Sequence, residues 1–139
     1  MTNKRKTERT DYRDIDDIID KVIKPRLNKE CQKLGIPSSF IHDVAAIYPK
    51  PFEFHSICQP VRGDGTYVES EEEEVAKVKI RIDSTIRRHS AALIAFWHEM
   101  YHAKQYYEGK KRQSELRATL YSWKRFLEEL IHPQAPPQV

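Results

Sequence analysis

The chain has 139 residues, of which 39% are hydrophobic and 32% charged, and its formal net charge is +3. This length suits one compact domain with a modest core. The basic residues are scattered rather than gathered on one stripe, so nucleic-acid binding is not indicated. The cysteines form no Cys-x-x-Cys pair, and no apolar run approaches the roughly 18 residues of a membrane span. We therefore expect a cytoplasmic protein with no membrane partner, of an oligomeric state that the sequence does not indicate.

The first ten residues are polar and lack apolar periodicity, which predicts a disordered tail over residues 1–10 before a single domain over residues 11–132. Within that domain, apolar residues first recur at three- and four-residue steps, which predicts a helix that Gly35 and Pro37 end. Pro25 has no amide hydrogen and is expected to kink this helix. The predicted buried stripe comprises Ile15, Ile18, Ile19, Val22, Ile23, Leu27, Cys31 and Leu34.

The segment over residues 38–83 is punctuated by proline and glycine and has short apolar runs, which is typical of strands and turns. The clearest strand covers residues 78–82, where branched apolar residues alternate with cations. The acidic run at residues 69–74 is interpreted as a solvated loop. Further strands are expected at residues 44–48 and 52–57, with a short partner at 66–68 after a Gly-Asp-Gly turn.

Two helices are predicted after the last strand. Asp83 or Ser84 could cap the first, which would run to Glu108 and stop at Gly109. Ser114 is expected to cap the second, which ends at His132-Pro133 ahead of a proline-rich tail over residues 133–139. Its apolar residues fall on one face: Leu116, Leu120, Trp123, Leu127 and Leu130. The predicted fold class is α+β, a small mixed or mostly antiparallel sheet flanked by an N-terminal, a central and a C-terminal helix.

Residues 98–102 read His-Glu-Met-Tyr-His. Residues four apart lie on nearly the same helix face, so His98 and His102 can bind one metal ion together. Zinc accepts neutral imidazole, and a catalytic zinc site keeps one position for water. Glu99 lies about 100° around the helix, where its carboxylate can take a proton from that water. The motif predicts one Zn²⁺ and hydrolysis of peptide bonds with Glu99 as general base, whereas the competing interpretation makes both histidines ordinary packed or surface residues.

A third zinc ligand is expected downstream of the motif. Glu108 and His89 are excluded, because each lies on the same rigid helix and Glu108 would be about 9 Å beyond His102. Glu115 follows the Gly109 stop, and the intervening segment can span up to about 16 Å, enough to return the chain beside His102. The competing interpretation is that Glu115 is a first-turn glutamate that complements the helix dipole.

The pattern His98-Glu99-x-x-His102 with Glu115 downstream resembles the gluzincin metallopeptidases, and the single-domain size resembles their minimal members, the minigluzincins. Residues 80–120 also resemble the peptidases that cleave phage-type repressors, in which an alternating strand precedes the motif and a Glu-x-x-Ala element follows. The resemblance implies a zincin-like fold and a peptide or protein substrate. Larger gluzincins often place an aspartate four residues after the metal glutamate, where it orients a histidine, but this chain has Thr119 there.

Two other functions stay open: a catalytically inactive zincin-like protein with a structural metal, and a metal-free helical interaction module. Glu99 favours the enzyme, because a purely structural site would not need it. Gln105 lies near the face of His102 and could support the site. The strand at residues 78–82 is expected at the sheet edge beside the cleft, where an extended substrate would add as a further strand. Candidates to stabilise the oxyanion are Tyr67, Tyr101, Tyr106, Tyr107, Tyr121, His42, His55 and His132.

Overall fold

The computed structural model describes residues 14–49, 55–68, 73–110 and 113–132. The tails predicted for residues 1–10 and 133–139 lie outside these ranges, as do residues 11–13 of the predicted domain. The described residues form an α+β structure with a small mixed sheet packed against helices, which confirms the predicted fold class. None of the described helices is both long enough and apolar enough to cross a membrane.

The N-terminal helical region is interrupted near Pro25, where a kink was predicted. Helix α1 (Ile15–Ile18) continues through a wide π turn (Ile19–Ile23) and a 3₁₀ turn (Lys24–Arg26) into α2 (Leu27–Leu34). Pro25 lies in the 3₁₀ turn and cannot donate a backbone hydrogen bond there. Gly35 ends α2 with a φ of 73°, a left-handed conformation that favours glycine. The apolar stripe is buried as predicted, with Val22 and Leu27 partly exposed.

The sheet contains β1 (Ile41–Ile47), β2 (Ile57–Val61) and β3 (Lys77–Asp83) in the order β1-β3-β2. Strand β1 is parallel to β3, and β2 is antiparallel to it. The strand predicted at 52–57 is shifted, since only Ile57 lies in β2 and residues 52–54 fall outside the described ranges. The partner predicted at 66–68 is reduced to one antiparallel bridge between Tyr67 and Val61.

Strand β3 is the centre of the sheet, so its predicted place at the edge is wrong. Its branched side chains Val78, Ile80 and Ile82 have no exposed surface, and both of its backbone edges are paired. The strand that borders the cleft is β2, which comes earlier in the chain. Chain order alone could not reveal this. Strands β1 and β3 are neighbours in the sheet, although β2 lies between them in the sequence.

Helix α3 (His89–Tyr107) starts later than predicted. The Asp83 carboxylate accepts hydrogen bonds from the amide and hydroxyl of Thr85, at 2.8 and 2.7 Å, so it caps the turn after β3 rather than the helix. Gly109, with a φ of 74°, ends the helical path as predicted. Helix α4 (Glu115–Ile131) begins at the predicted cap, where the Ser114 hydroxyl accepts from the amide of Arg117 at 3.1 Å.

Helix α4 packs along α3 through small and polar side chains rather than through its leucines. Ala118, Ser122 and Arg125 are buried against α3, with 0%, 1% and 5% of their surface exposed. The Arg125 guanidinium lies over the Trp97 ring, 4.9 Å from its centroid, and its Nε donates to Glu30 Oε1 at 3.0 Å. This ion pair ties α4 to α2 and fixes α4 relative to α3.

Candidate metal centre

Helix α3 presents His98 and His102 from successive turns, with ring centroids 4.9 Å apart. Glu115, the first residue of α4, reaches both: its Oε1 lies 2.9 Å from His98 Nε2 and its Oε2 lies 3.0 Å from His102 Nε2. The three potential ligand atoms lie within 4.8 Å of one another. The chain therefore returns beside His102 after Gly109, as predicted, and this brings together all three predicted metal ligands.

His102 is held by two amide oxygens. Its Nδ1 donates to Gln105 Oε1 at 2.8 Å and to Gln113 Oε1 at 2.9 Å, which places the proton on Nδ1 and leaves a lone pair on Nε2. That Nε2 is buried and makes no hydrogen bond, although Glu115 Oε2 lies 3.0 Å from it. A buried nitrogen with an unused lone pair is a free-energy cost that a bound cation would remove.

The donor set of these residues fits zinc. Two imidazole nitrogens and one carboxylate oxygen are a common catalytic zinc set, with a fourth position left for water. Burial raises the pKa of Glu115, but its contacts with His98 and His102 outweigh it, so the net pKa lies below its usual value. Glu115 is therefore ionised at neutral pH, as a metal ligand must be. Glu108 bonds instead to Lys104 at 2.8 Å, in agreement with its exclusion as a ligand.

Glu99 lies beside the three ligands but is not one of them. Its side chain lines the cleft but is largely buried, with 7% of the residue exposed, and its carboxylate accepts the backbone N–H of Cys58 in β2. Burial, followed by the negative charge of Glu115, raises the pKa of Glu99 to about 8, and the Cys58 hydrogen bond only partly opposes this. A cation held by the neighbouring histidines would lower that pKa.

These residues line an open cleft of about 480 Å³ between β2 and the two helices that carry the ligands. Three of the oxyanion candidates border it: His55, Tyr67 and Tyr106. Tyr121 is ruled out by its packing, since its hydroxyl donates to the buried Glu30. His55 is oriented by a partner, since its Nδ1 donates to Asp83 Oδ2 at 2.7 Å.

The His55 and Asp83 pair combines an exposed ring with a buried anion. The side chain of His55 is 85% exposed and that of Asp83 is 3% exposed. Burial raises the pKa of Asp83, but hydrogen bonds from Thr85 and then from His55 outweigh it and bring the net pKa below its usual value. The ionised Asp83 thus orients the ring and leaves its Nε2 toward the cleft solvent.

Sequence reasoning found Gln105 but missed Gln113 and the contact of Glu99 with β2. Gln113 lies two residues before the ligand Glu115, and that proximity was the available signal. The Cys58 contact carried no sequence signal, because it depends on how β2 is placed against α3. Thr119, which stands where larger gluzincins often have an aspartate, is not needed to orient His102, because Gln105 and Gln113 do so.

Comparisons with protein-family models, with curated proteins and with solved structures found no match to this chain.

Proposed function

We propose that this protein is a single-zinc metallopeptidase of the gluzincin type, with a zincin-like fold and a peptide or protein substrate. One observation carries the proposal. His98, His102 and Glu115 converge at a cleft with a buried imidazole nitrogen that makes no hydrogen bond although Glu115 lies close to it, and the carboxyl group of Glu99 lies beside them without joining the set. A structural zinc site needs a closed shell of four protein ligands, whereas three ligands and an adjacent base match a catalytic one.

Each group at the site has a separate role in the proposed reaction. Zinc, when bound, would supply a Lewis acid that polarises the substrate carbonyl and makes water more acidic. The Glu99 carboxylate accepts a proton from the attacking water as the C–O bond forms at the carbonyl carbon, and then passes it to the amine nitrogen as the C–N bond breaks. Gln105 and Gln113 hold His102 in the tautomer that leaves Nε2 free. With Nδ1 bonded to Asp83, His55 would donate a hydrogen bond to the developing oxyanion through Nε2–H in its imidazolium form.

Strand β2 is the proposed substrate edge, in place of β3. In the described part of the chain β2 pairs with β3 on one side, and on the other side it meets only the Tyr67 bridge at Val61. Residues 57 and 58, at the start of β2, line the cleft next to Glu99. The Cys58 N–H on this edge is taken by Glu99, so an extended peptide would instead donate a hydrogen bond to the Cys58 carbonyl and present its own carbonyl to the ligands.

The test of function combines zinc analysis with peptide cleavage, using protein purified without a histidine tag. We expect one zinc per chain and cleavage of members of a peptide library. Glu115→Ala should weaken zinc binding at least about tenfold, because it removes one of three ligands. Glu99→Gln should keep the zinc and lower the cleavage rate by about 10² to 10⁴-fold. Glu108→Gln, on the same helix but paired with Lys104, is the matched control and should change neither quantity.

The outcomes separate the competing functions. Zinc binding without cleavage of any peptide would support a catalytically inactive zincin-like protein instead. A wild-type chain that binds no zinc would contradict the metal centre altogether. Cleavage by Glu99→Gln at the wild-type rate would exclude Glu99 as the base.

We place the enzyme in the cytoplasm, in keeping with the state of its two cysteines. Cys31 and Cys58 are both free thiols and both buried. Burial, followed by the charge of Glu30, raises the pKa of Cys31 to about 11, which keeps this thiol protonated and unreactive. Free thiols are the usual state of cysteines in a reducing compartment such as the cytoplasm.

A further inference from the structure

A hairpin that follows β2 borders one end of the candidate metal cleft. The chain turns at residues 62–66, where the Gly65 N–H donates to the Arg62 C=O at 2.9 Å. It then returns along β2 and forms the antiparallel bridge between Tyr67 and Val61. Because β3 occupies the other side of β2, the returning segment lies on the outer edge, which is the edge proposed to bind the substrate.

The two hydrogen bonds of this bridge occupy the outer edge of β2 from Pro60 onward. The Val68 N–H donates to the Pro60 C=O at 3.1 Å, and the Arg62 N–H donates to the Thr66 C=O at 2.8 Å. Pro60 has no N–H of its own to offer. Val68 is only 4% exposed, so the returning segment is anchored in the protein interior. A substrate strand therefore cannot pair with β2 beyond Pro60.

In the described part of β2, one outward backbone group stays open next to the candidate metal ligands. Backbone groups of a strand point to alternate sides, so Cys58 faces the same way as Pro60. The Cys58 N–H is bonded to Glu99, which leaves the Cys58 C=O. The two residues of strand from Cys58 to Pro60 span roughly 7 Å. This distance accommodates one or two residues of a bound peptide before the hairpin.

The side chains make the two ends of the cleft different. Beyond Cys58 the lining consists of Pro60 and the aromatic side chains of Tyr67 and Tyr106. On the other side of Cys58 the cleft is lined by His55, whose side chain is 85% exposed. A peptide bound along β2 therefore meets a wall on one side of the scissile bond and can extend on the other.

The closed end offers hydrogen-bond acceptors rather than positive charge. None of the described residues that line the cleft is lysine or arginine, whereas Glu99 and Glu115 carry carboxyl groups. The outer edge of β2 from Cys58 to Pro60 presents a carbonyl and no free N–H. An ammonium group has three donors and matches this edge. A terminal carboxylate has only acceptors and would lack a partner there, which is unfavourable.

We propose that the closed end receives the free amino terminus of the substrate, which makes the protein an aminopeptidase that removes one or two residues at a time. This inference rests on the proposed peptidase activity. A peptide antiparallel to β2 runs from Pro60 toward His55, so its amino terminus lies against the hairpin. Hydrolysis adds the hydroxyl of water to the carbonyl carbon and a proton to the departing nitrogen. The products are a free amino acid or dipeptide and a shorter peptide with a new amino terminus.

Peptides that share one internal sequence and differ at their ends test the proposal, with the cleaved bond located by mass spectrometry. The wild-type chain supplied with zinc should cleave after the first or second residue. Acetylation of the amino terminus removes its charge and adds bulk at the closed end, so kcat/KM should fall at least about tenfold. Amidation of the carboxyl terminus is the matched control and should change kcat/KM by less than about twofold.

Tyr67→Ala tests whether the hairpin limits the substrate. Removing this ring opens the wall, so the rate for the acetylated peptide relative to the free one should rise at least about fivefold. Tyr107→Ala is the matched control, because Tyr107 has a similar exposure, 46% against 49% for Tyr67, and does not line the cleft. It should keep the wild-type preference. Circular dichroism establishes that both variants remain folded.

The outcomes separate this proposal from the peptidase activity on which it rests. Cleavage of internal bonds in acetylated peptides as fast as in free ones would overturn the aminopeptidase and leave a metallopeptidase. Loss of cleavage on amidation rather than on acetylation would place the carboxyl terminus at the closed end and overturn it as well. A wild-type preference in Tyr67→Ala would show that the wall does not act. Absence of cleavage of every peptide would overturn both proposals.

Discussion

Helices α3 and α4 lie side by side and both contribute to the candidate metal centre, yet they relate to the core in opposite ways. Helix α3 buries its large apolar residues, with Phe96, Trp97 and Met100 fully enclosed. Helix α4 turns alanine, serine and arginine inward and leaves its leucines outside. Its orientation follows from Glu115, which must face the α3 histidines and thereby directs Ala118 and Ser122, on the same side, toward α3.

The comparison shows that a helix face is not assigned to the core by hydrophobicity alone. Small side chains on the inner face of α4 let the two helices approach closely beside the metal centre. The ionic contacts of Arg125 with Glu30 and with the Trp97 ring then supply the specific attachment. Helix α3 thus depends on packing of its large apolar residues, whereas α4 combines packing of Tyr121 and Phe126 with a few polar contacts.

Substitution of Trp97 by alanine should have the largest effect on stability. The residue has no exposed surface and supports the guanidinium of Arg125, so removing it leaves a cavity and loses the cation–π contact. We expect the free energy of unfolding to fall by about 3 to 5 kcal/mol. Urea denaturation followed by circular dichroism measures this. A loss below about 1 kcal/mol would mean that α3 is not the packed helix of the pair.

Arg125→Met tests whether α4 is attached by charge. The substitution leaves the buried Glu30 carboxylate without its cation, and removal of one partner from a buried ion pair costs about 3 kcal/mol or more. The double variant with Glu30→Gln should recover part of that loss, because it leaves no unpaired buried charge. Denaturation of the single and double variants forms the cycle. A double variant less stable than Arg125→Met alone would contradict an attachment by charge.

The two helices also show which features of the fold and of the site could be predicted from the sequence and which could not. The helix bounds near Gly35, Gly109 and Ser114 followed from local capping chemistry, which depends on neighbouring residues only. The cluster of His98, His102 and Glu115 followed from helical periodicity and chain reach. Strand order, the exposure of the α4 stripe and the Gln113 contact depend on tertiary packing between distant segments, which no local pattern contains. The predicted edge position of β3 was wrong for the same reason.

Gln105 on α3 and Gln113 just before α4 allow the two sides of the metal centre to be compared directly. Both accept a hydrogen bond from His102 Nδ1, at 2.8 and 2.9 Å. Loss of such a partner typically weakens metal binding 10- to 100-fold, but here the second amide would partly substitute for the first. We expect about a tenfold loss of zinc affinity in the double alanine variant and less in each single one, measured by competition with a chelator. Equal zinc affinity in the double variant and the wild type would show that neither amide is needed to hold His102 with its proton on Nδ1.

Leu127→Ala should have the smallest effect, although it removes as much apolar side chain as a core substitution would. Leu127 is 55% exposed, so its truncation leaves no cavity and removes little buried area. We expect the free energy of unfolding to fall by less than about 0.5 kcal/mol, measured by urea denaturation. A loss of about 2 kcal/mol or more, a typical cost for a buried leucine, would place Leu127 in the core and remove the contrast between the two helices.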